Sequence, residues 1–313
     1  MTTTPCQIAF DWGSTRLRGW LLGAGGTVLS ERSSDDGASR VSGGAAGFEA
    51  ALLALAGDWL SNGPADLPLL ACGMVGSAHG WREAPYVPCP ADLAALHNHC
   101  ATVPLAGGRT LRIVPGLIDA PVGGTPDVMR GEETQLVGLL ALQPELTAAA
   151  TVLMPGTHSK WVDLRQGRVS AFRTRMTGEV YAVLRQHSVL GRLMPAADDD
   201  WHPAAFDAGL AAARNGQGRD LAGQLFAVRT LGLTGRWPAA ALPDYLSGLL
   251  IGHELVAALR PAAPPLALVG EPALCRRYRH ALQTFGVPPS AVLGNTAVAG
   301  LWQMAAGAGC AGR

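Results

Sequence analysis

Two short turns carry the residues best suited to chemistry. Asp11-Trp12-Gly13-Ser14-Thr15-Arg16 follows the apolar run Ile8-Ala9-Phe10, and Pro155-Gly156-Thr157-His158-Ser159-Lys160 follows Thr151-Val152-Leu153-Met154. Small residues in a tight turn let several backbone N–H groups and hydroxyls converge on one spot, which suits a phosphate. Gly13, Ser14 and Thr15 are the candidate phosphate contacts of the first turn, and Gly156, Thr157, His158 and Ser159 those of the second. Asp11 stands at the mouth of its turn, where a carboxylate can hold Mg²⁺ through its water shell. Lys160 is the only lysine in the chain and is placed to neutralise phosphate charge. One such turn alone fits an ordinary hairpin; its repetition sets the pair apart.

The elements that must hold these turns repeat as well. In each half a strand, the turn and a second strand (Leu17 onward; Trp161 to Leu164) lead to a Gly turn at Gly25-Gly26 or Gly167. A third strand follows, Thr27 to Arg32 or Arg168 to Phe172. A repeat at this distance suggests duplicated domains, each offering one phosphate loop. The expected boundary lies near 143–150, giving domains of 1–146 and 147–313. Two such loops facing across a cleft would clamp a nucleoside triphosphate. Phosphoryl transfer then needs positioning, Mg²⁺, cationic and N–H stabilisation, and a carboxylate for the acceptor.

That carboxylate is sought in Asp127-Val128-Met129-Arg130-Gly131-Glu132-Glu133-Thr134-Gln135, at the head of the helix joining the halves. Glu132 and Glu133 would pass for ordinary first-turn acids favoured by the helix dipole. Beside two phosphate loops they become candidate bases, Glu133 before Glu132, with Asp127 in reserve. Gly270-Glu271 follows a buried strand, where a glycine admits close approach of a flat ligand such as adenine, although a plain strand-to-helix turn fits the spacing equally. Ser77 and Trp81 lie in a Gly-rich loop, Met74 to Arg82. Arg173, Arg175, Thr177 and Glu179 precede or open a helix. Arginine pairs carboxylates in bidentate fashion and a helix start adds N–H donors, so these residues favour a small anionic, hydroxylated substrate. Each arginine alone would be read as a surface ion pair.

Basic and acidic residues balance at 24 each, which gives no electrostatic footprint for nucleic acid and no polybasic membrane patch. No apolar stretch reaches membrane-spanning length. Met1 to Pro5 has no basic segment leading into an apolar run, so no signal peptide is expected. The six cysteines, Cys6, Cys72, Cys89, Cys100, Cys275 and Cys310, form no C-x-x-C pair and suit a reducing cytoplasm. His97, His99 and Cys100 read as a polar helix end, with metal binding the weaker alternative. Helical periodicity is expected at 47–60, 131–142, 178–189, 204–214, 220–231, 244–260, 273–285 and 296–304. Buried strands are expected at 69–72, 111–114 and 266–269, and a turn-rich connector at 119–126.

Asp11 to Thr15 with Arg18, Gly73 to Ser77 with Gly80-Trp81 and Ala84-Pro85-Tyr86, Val128 to Gln135, Met154 to His158 with Lys160-Trp161, Phe172-Arg173-Thr174 with Met176 to Glu179, and Leu246 to Gly252 resemble the 2-dehydro-3-deoxygalactonokinase family. That family belongs to the actin/hexokinase-like superfamily. The resemblance implies an α/β fold of two ribonuclease-H-like domains around an interdomain cleft. It implies ATP-dependent phosphorylation of 2-dehydro-3-deoxy-D-galactonate on its 6-hydroxyl, in galactonate catabolism. Arg18, Ser77, Trp81, Arg173, Arg175, Thr177 and Glu179 would serve the sugar acid, Gly270 and Glu271 the nucleotide, and Asp11 the Mg²⁺. The Glu-Glu pattern is also similar to the exopolyphosphatase branch, which favours Glu133 as the base. The chain departs from the pattern near Ala78-His79 and at Asn295, where an acid would be expected. A hydrolase using water and a non-catalytic sugar-acid sensor are the other readings; the presence of Asp11, Glu132 and Glu133 argues against the sensor. The expected partners are sugar acid and ATP, with no nucleic acid and no membrane. The oligomeric state is open, a homodimer included.

Overall fold

The computed structural model describes residues 4–196, 201–216, 220–261 and 263–305; Cys310 lies outside them. The first sheet is built from β1 (Gln7–Trp12), β2 (Leu17–Leu22), β3 (Val28–Ser34), β4 (Leu69–Gly73), β6 (Ala101–Pro104) and β7 (Thr110–Ile113), in the order β3-β2-β1-β4-β7-β6. β1 pairs antiparallel with β2 and parallel with β4, which is parallel to β7. Ile8, Ala9 and Phe10 have no exposed surface, as a central strand covered on both faces requires. Helix α1 (Gly44–Asn62) sets Phe48, Leu52 and Leu55 into the same core as Phe10, Trp12 and Leu17.

The second sheet follows the same plan. Its strands are β10 (Ala149–Met154), β11 (Ser159–Arg165), β12 (Arg168–Arg175), β13 (Leu266–Val269) and β14 (Ala291–Leu293), in the order β12-β11-β10-β13-β14. β13 runs parallel to both β10 and β14. Both sheets thus contain the 3-2-1-4-5 strand order of a ribonuclease-H-like domain, the α/β class expected from the sequence. Between β12 and β13 lie α4 (Thr177–His187), α5 (Pro203–Arg214), α6 (Leu221–Leu233) and α7 (Leu242–Ala258), and α8 (Pro272–Thr284) follows β13.

The connector expected at 119–126 is observed as the irregular segment 120–126, with a strand on either side. β5 (Tyr86–Pro88), β8 (Gly116–Asp119) and β9 (Asp127–Met129) form a small sheet of their own, too short to leave a periodic signal. A one-turn helix, α2 (Leu93–Asn98), puts His97 against the Met304 carbonyl and His99 against that of Ala95, so the histidines serve backbone oxygens.

Contacts divide the chain into two compact units. One runs to Ala149 and adds Asp163–Phe172 and the segment from Asn295 on; the other holds Ala150–Val162 and Arg173–Gly294. The sequence expectation kept 147–313 together. For the last helix the difference comes from glycines: a Cβ at Gly138 on α3 (Glu132–Leu142) would overlap the Thr296 carbonyl, and one at Gly300 on α9 (Ala297–Ala305) would overlap that of Thr134. The two backbones touch, and the last helix is tied to the first unit.

Candidate active site

In the first unit Asp11 is the penultimate residue of β1, and strand register sets its neighbours: Arg18 opposite on β2 and Cys72 on β4. The Arg18 guanidinium lies 3.5 Å from Asp11 Oδ2, so Arg18, expected at the substrate, is paired with Asp11. Asn295 donates from Nδ2 to the same oxygen at 3.1 Å. The turn beyond is closed on itself. Gly13 N–H donates to the Arg16 carbonyl at 2.9 Å, which withdraws it from the expected phosphate set. Ser14 and Thr15 remain exposed. The turn is braced by 36–39, a segment the sequence reading passed over: Ala38 and Ser39 N–H groups donate to the Gly13 and Ser14 carbonyls, and a side chain at Gly37 would overlap the Thr15 backbone.

The structure brings the Glu132-Glu133 corner to the same place. Gly73 has φ +91, and a Cβ there would stand 2.7 Å from the Trp12 carbonyl and 3.6 Å from Asp11 Oδ1. Gly131, at φ +104, would set its own Cβ 3.4 Å from Gly73 Cα. Only glycine keeps this space clear. Glu133 is buried, 1 % exposed; its carboxyl accepts the Gly131 N–H at 2.6 Å and the Thr134 hydroxyl at 3.0 Å. Burial, and then the neighbouring Glu132 charge, push it up to about 8. Glu132 is half-buried and accepts the Arg130 N–H at 3.0 Å. Asp127 receives its neighbour's N–H from Val128. Ser77 is partly exposed beyond β4, and Trp81 packs its ring 6.0 Å from both Trp12 and Phe48, extending the aromatic core.

In the second unit the expected turn is shorter than the sequence suggested, because β11 begins at Ser159. Ser159 has no exposed surface and its hydroxyl lies 3.1 Å from Tyr278 Oη, which removes it from phosphate contact. Lys160 is 6 % exposed, with Nζ donating to Thr174 Oγ1 at 2.7 Å; it is a strand residue tied to β12 rather than an open turn lysine. Gly156, Thr157 and His158 form the turn proper. The start of α4 is pressed against it: Glu179 N–H donates to the Thr157 carbonyl at 2.9 Å, His158 Nε2 bonds the Glu179 carboxylate, and a Cβ at Gly178 would overlap the Gly156 carbonyl. Glu179, expected at the sugar acid, is therefore packed against this second turn, and Thr177, expected there too, lies beside it on the neighbouring cavity. Arg173 is exposed and Arg175 half-buried on β12.

Beside that turn lies a cavity of about 260 Å³, walled by Tyr181, Leu250, Ile251 and Leu274 and edged by Gly156, Thr177, Gly178, Ser247, Arg277 and Tyr278. An apolar slot with a few polar groups suits a flat ring carrying hydroxyl or amino groups. Gly270 closes on the turn from β13, its Cβ position 3.2 Å from the Pro155 carbonyl. Glu271 is spent on capping α8, accepting the Ala273 and Leu274 N–H groups at 2.9 Å each, and these bonds, that of Ala273 first, hold its carboxyl below the usual range. Not expected from the sequence were Tyr278 and Arg277, which line this cavity, and Glu254, which accepts from the lining residues Thr177 and Tyr278. An acid inside Leu249-Leu250-Ile251-Gly252-His253-Glu254-Leu255 was the available signal.

Among the described residues no cluster of three or more His, Cys, Asp or Glu could hold a metal by itself. Mg²⁺ does not need one, since it keeps most of its waters and takes one or two carboxylates together with substrate phosphates. Asp11, with side-chain-free space at Gly73 beside its Oδ1, fits that requirement.

A family model described as 2-keto-3-deoxy-galactonokinase matches residues 11–304. The chain is 38% identical over 298 residues to an Escherichia coli (strain K12) protein named 2-dehydro-3-deoxygalactonokinase, covering 94% of this chain and 95% of that protein. It is 40% identical over 310 residues to a Rhizobium meliloti (strain 1021) protein of the same designation, covering 95% of each. A crystal structure from Sinorhizobium meliloti, also under the 2-dehydro-3-deoxygalactonokinase designation, superposes with a TM-score of 0.85 at 37% identity, over 97% of this chain and 99% of the other. With the duplicated fold and the Asp11–Glu133 corner in place, these matches identify the chain as a member of the 2-keto-3-deoxy-galactonokinase family.

Proposed function

We propose that this chain is an ATP-dependent kinase that phosphorylates the 6-hydroxyl of 2-dehydro-3-deoxy-D-galactonate in the cytoplasm, as part of galactonate breakdown. The observation that carries the reading is the corner of the first unit where Gly73 and Gly131 keep open the space between Asp11 and the Glu132-Glu133 pair. An acidic metal-side group and a buried acid at one location are what phosphoryl transfer to an alcohol requires. Family membership supports the acceptor. The free cysteines Cys6, Cys72, Cys89, Cys100 and Cys275 support a reducing compartment, and among the described residues no helix is long and apolar enough to cross a membrane.

In this reading Asp11 holds Mg²⁺ through water, and Arg18 and Asn295 fix the orientation of its carboxylate. Bound with the nucleotide, Mg²⁺ supplies charge neutralisation at the phosphoryl oxygens. Ser14, Thr15 and the Gly156–His158 turn hold phosphates. The cavity edged by Thr177 and Arg277 takes the adenosine. Glu133 accepts the proton of the acceptor hydroxyl, and its removal from water tunes it toward neutral pH, as general bases require. Ser77, partly exposed beyond β4, serves the sugar acid. No observation favours water as the acceptor or a sensor without catalysis. The test is turnover of ATP by the purified protein with and without the sugar acid: acceptor-dependent ADP formation is expected, and equal turnover in both would refute the kinase.

A further inference from the structure

Glu254 is 4 % exposed towards the C-terminal end of α7, and it is hydrogen-bonded on both oxygens. Trp161 Nε1 donates to Oε1 at 2.7 Å. Tyr278 Oη donates to Oε2 at 2.7 Å, and the Thr177 hydroxyl donates to the same oxygen. These donors come from β11, α8 and the first residue of α4, so one carboxylate ties together the elements around the cavity beside Gly156. Burial raises the Glu254 carboxyl, opposed by these bonds and by the nearby Arg175 charge. None of this serves a plain core, since a buried acid is costly unless its partners are all in place.

Resting on the nucleotide reading of that cavity, we infer that Glu254 is a positioning residue that sets the hydrogen-bonding polarity of the nucleotide pocket through Thr177. A threonine hydroxyl has one hydrogen and two lone pairs. With its hydrogen given to Glu254, Thr177 has only acceptance left to offer the cavity it edges. Tyr278 is committed in the same way, and Ser159 then donates to Tyr278 Oη. The pocket therefore selects a donor on the ligand, a ribose hydroxyl or an exocyclic amino group, and does not present Thr177 as a donor to phosphate.

Calorimetric binding of the β,γ-imido analogue of ATP tests this without depending on any acceptor reaction, while acceptor-dependent turnover tests the kinase reading separately. In Glu254→Gln the amide can donate to the Thr177 oxygen and reverse its hydroxyl, so affinity should fall by roughly 2–10-fold, the worth of one hydrogen bond. Thr177→Val should fall equally, Thr177→Ser should retain wild-type affinity, and the Glu254→Gln, Thr177→Val double variant should be no weaker than the weaker single, because coupled residues are not additive. In kinetics the effect should sit in KM for ATP and leave KM for the sugar acid unchanged. Repeating the titration with 2′-deoxy, 3′-deoxy and inosine analogues identifies the donor, as the analogue whose loss in wild type disappears in Thr177→Val. Unchanged nucleotide affinity in a folded Glu254→Gln, or losses that multiply in the double variant, would overturn the inference. So would equal binding of every analogue to the wild type.

Discussion

Asn295 bridges the end of the chain to the first strand: Nδ2 donates to Asp11 Oδ2 at 3.1 Å, while Oδ1 accepts the Ala297 N–H at 2.8 Å and caps α9. The family pattern suggested an acid here. An acid could cap the helix but would bring a like charge against Asp11, and the amide avoids this. Asn295→Ala should lose about 1 kcal/mol of stability with the cap. Asn295→Asp keeps the capping oxygen but loses the Nδ2 donor and sets a like charge beside Asp11, so its melting temperature should fall below that of the wild type and recover in part at high salt. A melting temperature in Asn295→Asp that differs from wild type by the same amount at every salt concentration would show that the two side chains are not electrostatically coupled.

Asp11→Asn should fold normally and lose most of its turnover. The substitution removes the charge that holds Mg²⁺ and leaves Arg18, 39% exposed, able to turn to water. Circular dichroism checks the fold, and turnover across a magnesium titration checks the role. Near wild-type turnover at ordinary magnesium would take Asp11 out of the site.

Glu133 carries a pH prediction of definite sign. Its pKa is raised to about 8 in the folded protein, whereas in the unfolded chain it titrates as an ordinary carboxyl. Its contribution to stability is therefore full below about pH 4.3 and is lost as pH rises towards about 8. Glu133→Gln does not ionise, so it should gain on the wild type by a few kcal/mol over that interval, read as melting temperature against pH. Its turnover should fall by roughly 10²–10⁴-fold, with both Michaelis constants little changed. Wild-type turnover should climb with pH toward 8. If Glu133→Gln stays active and Glu132→Gln is dead, the base is Glu132.

Gly300→Ala tests the seam between α3 and α9. Its methyl group would overlap the Thr134 carbonyl, next to Glu133. A destabilisation of about 1–3 kcal/mol is expected from overpacking, measured by denaturant titration. A neutral substitution would mean the seam is looser than it stands here.

The sequence was informative where the physics is local. Asp11, the repeat of strand, turn and strand, and most helices were legible because apolar periodicity and Gly turns announce them. The helix expected at 131–142 is observed at Glu132–Leu142, and that at 296–304 at Ala297–Ala305. What could not be read depends on tertiary register. Ser159 and Lys160 look like turn residues until β11 is seen to start at Ser159 and bury both. Glu271 looks like a ligand-side acid until α8 claims both its oxygens. Glu254 reads as one polar residue in an apolar helix, since its three donors lie 93, 77 and 24 residues away. Membership of α9 in the first unit likewise depends on Gly138 meeting Thr296, a contact no local pattern announces.

The central claim is the reaction itself. Purified protein should be given ATP and magnesium with 2-dehydro-3-deoxy-D-galactonate, with 2-dehydro-3-deoxy-D-gluconate, or with no acceptor, and ADP and the phosphorylated product should be followed together. ADP should be matched one for one by 6-phosphorylated 2-dehydro-3-deoxy-D-galactonate, with little turnover when the acceptor is left out. ADP release at the same rate with and without acceptor, and no phosphorylated sugar acid, would contradict it.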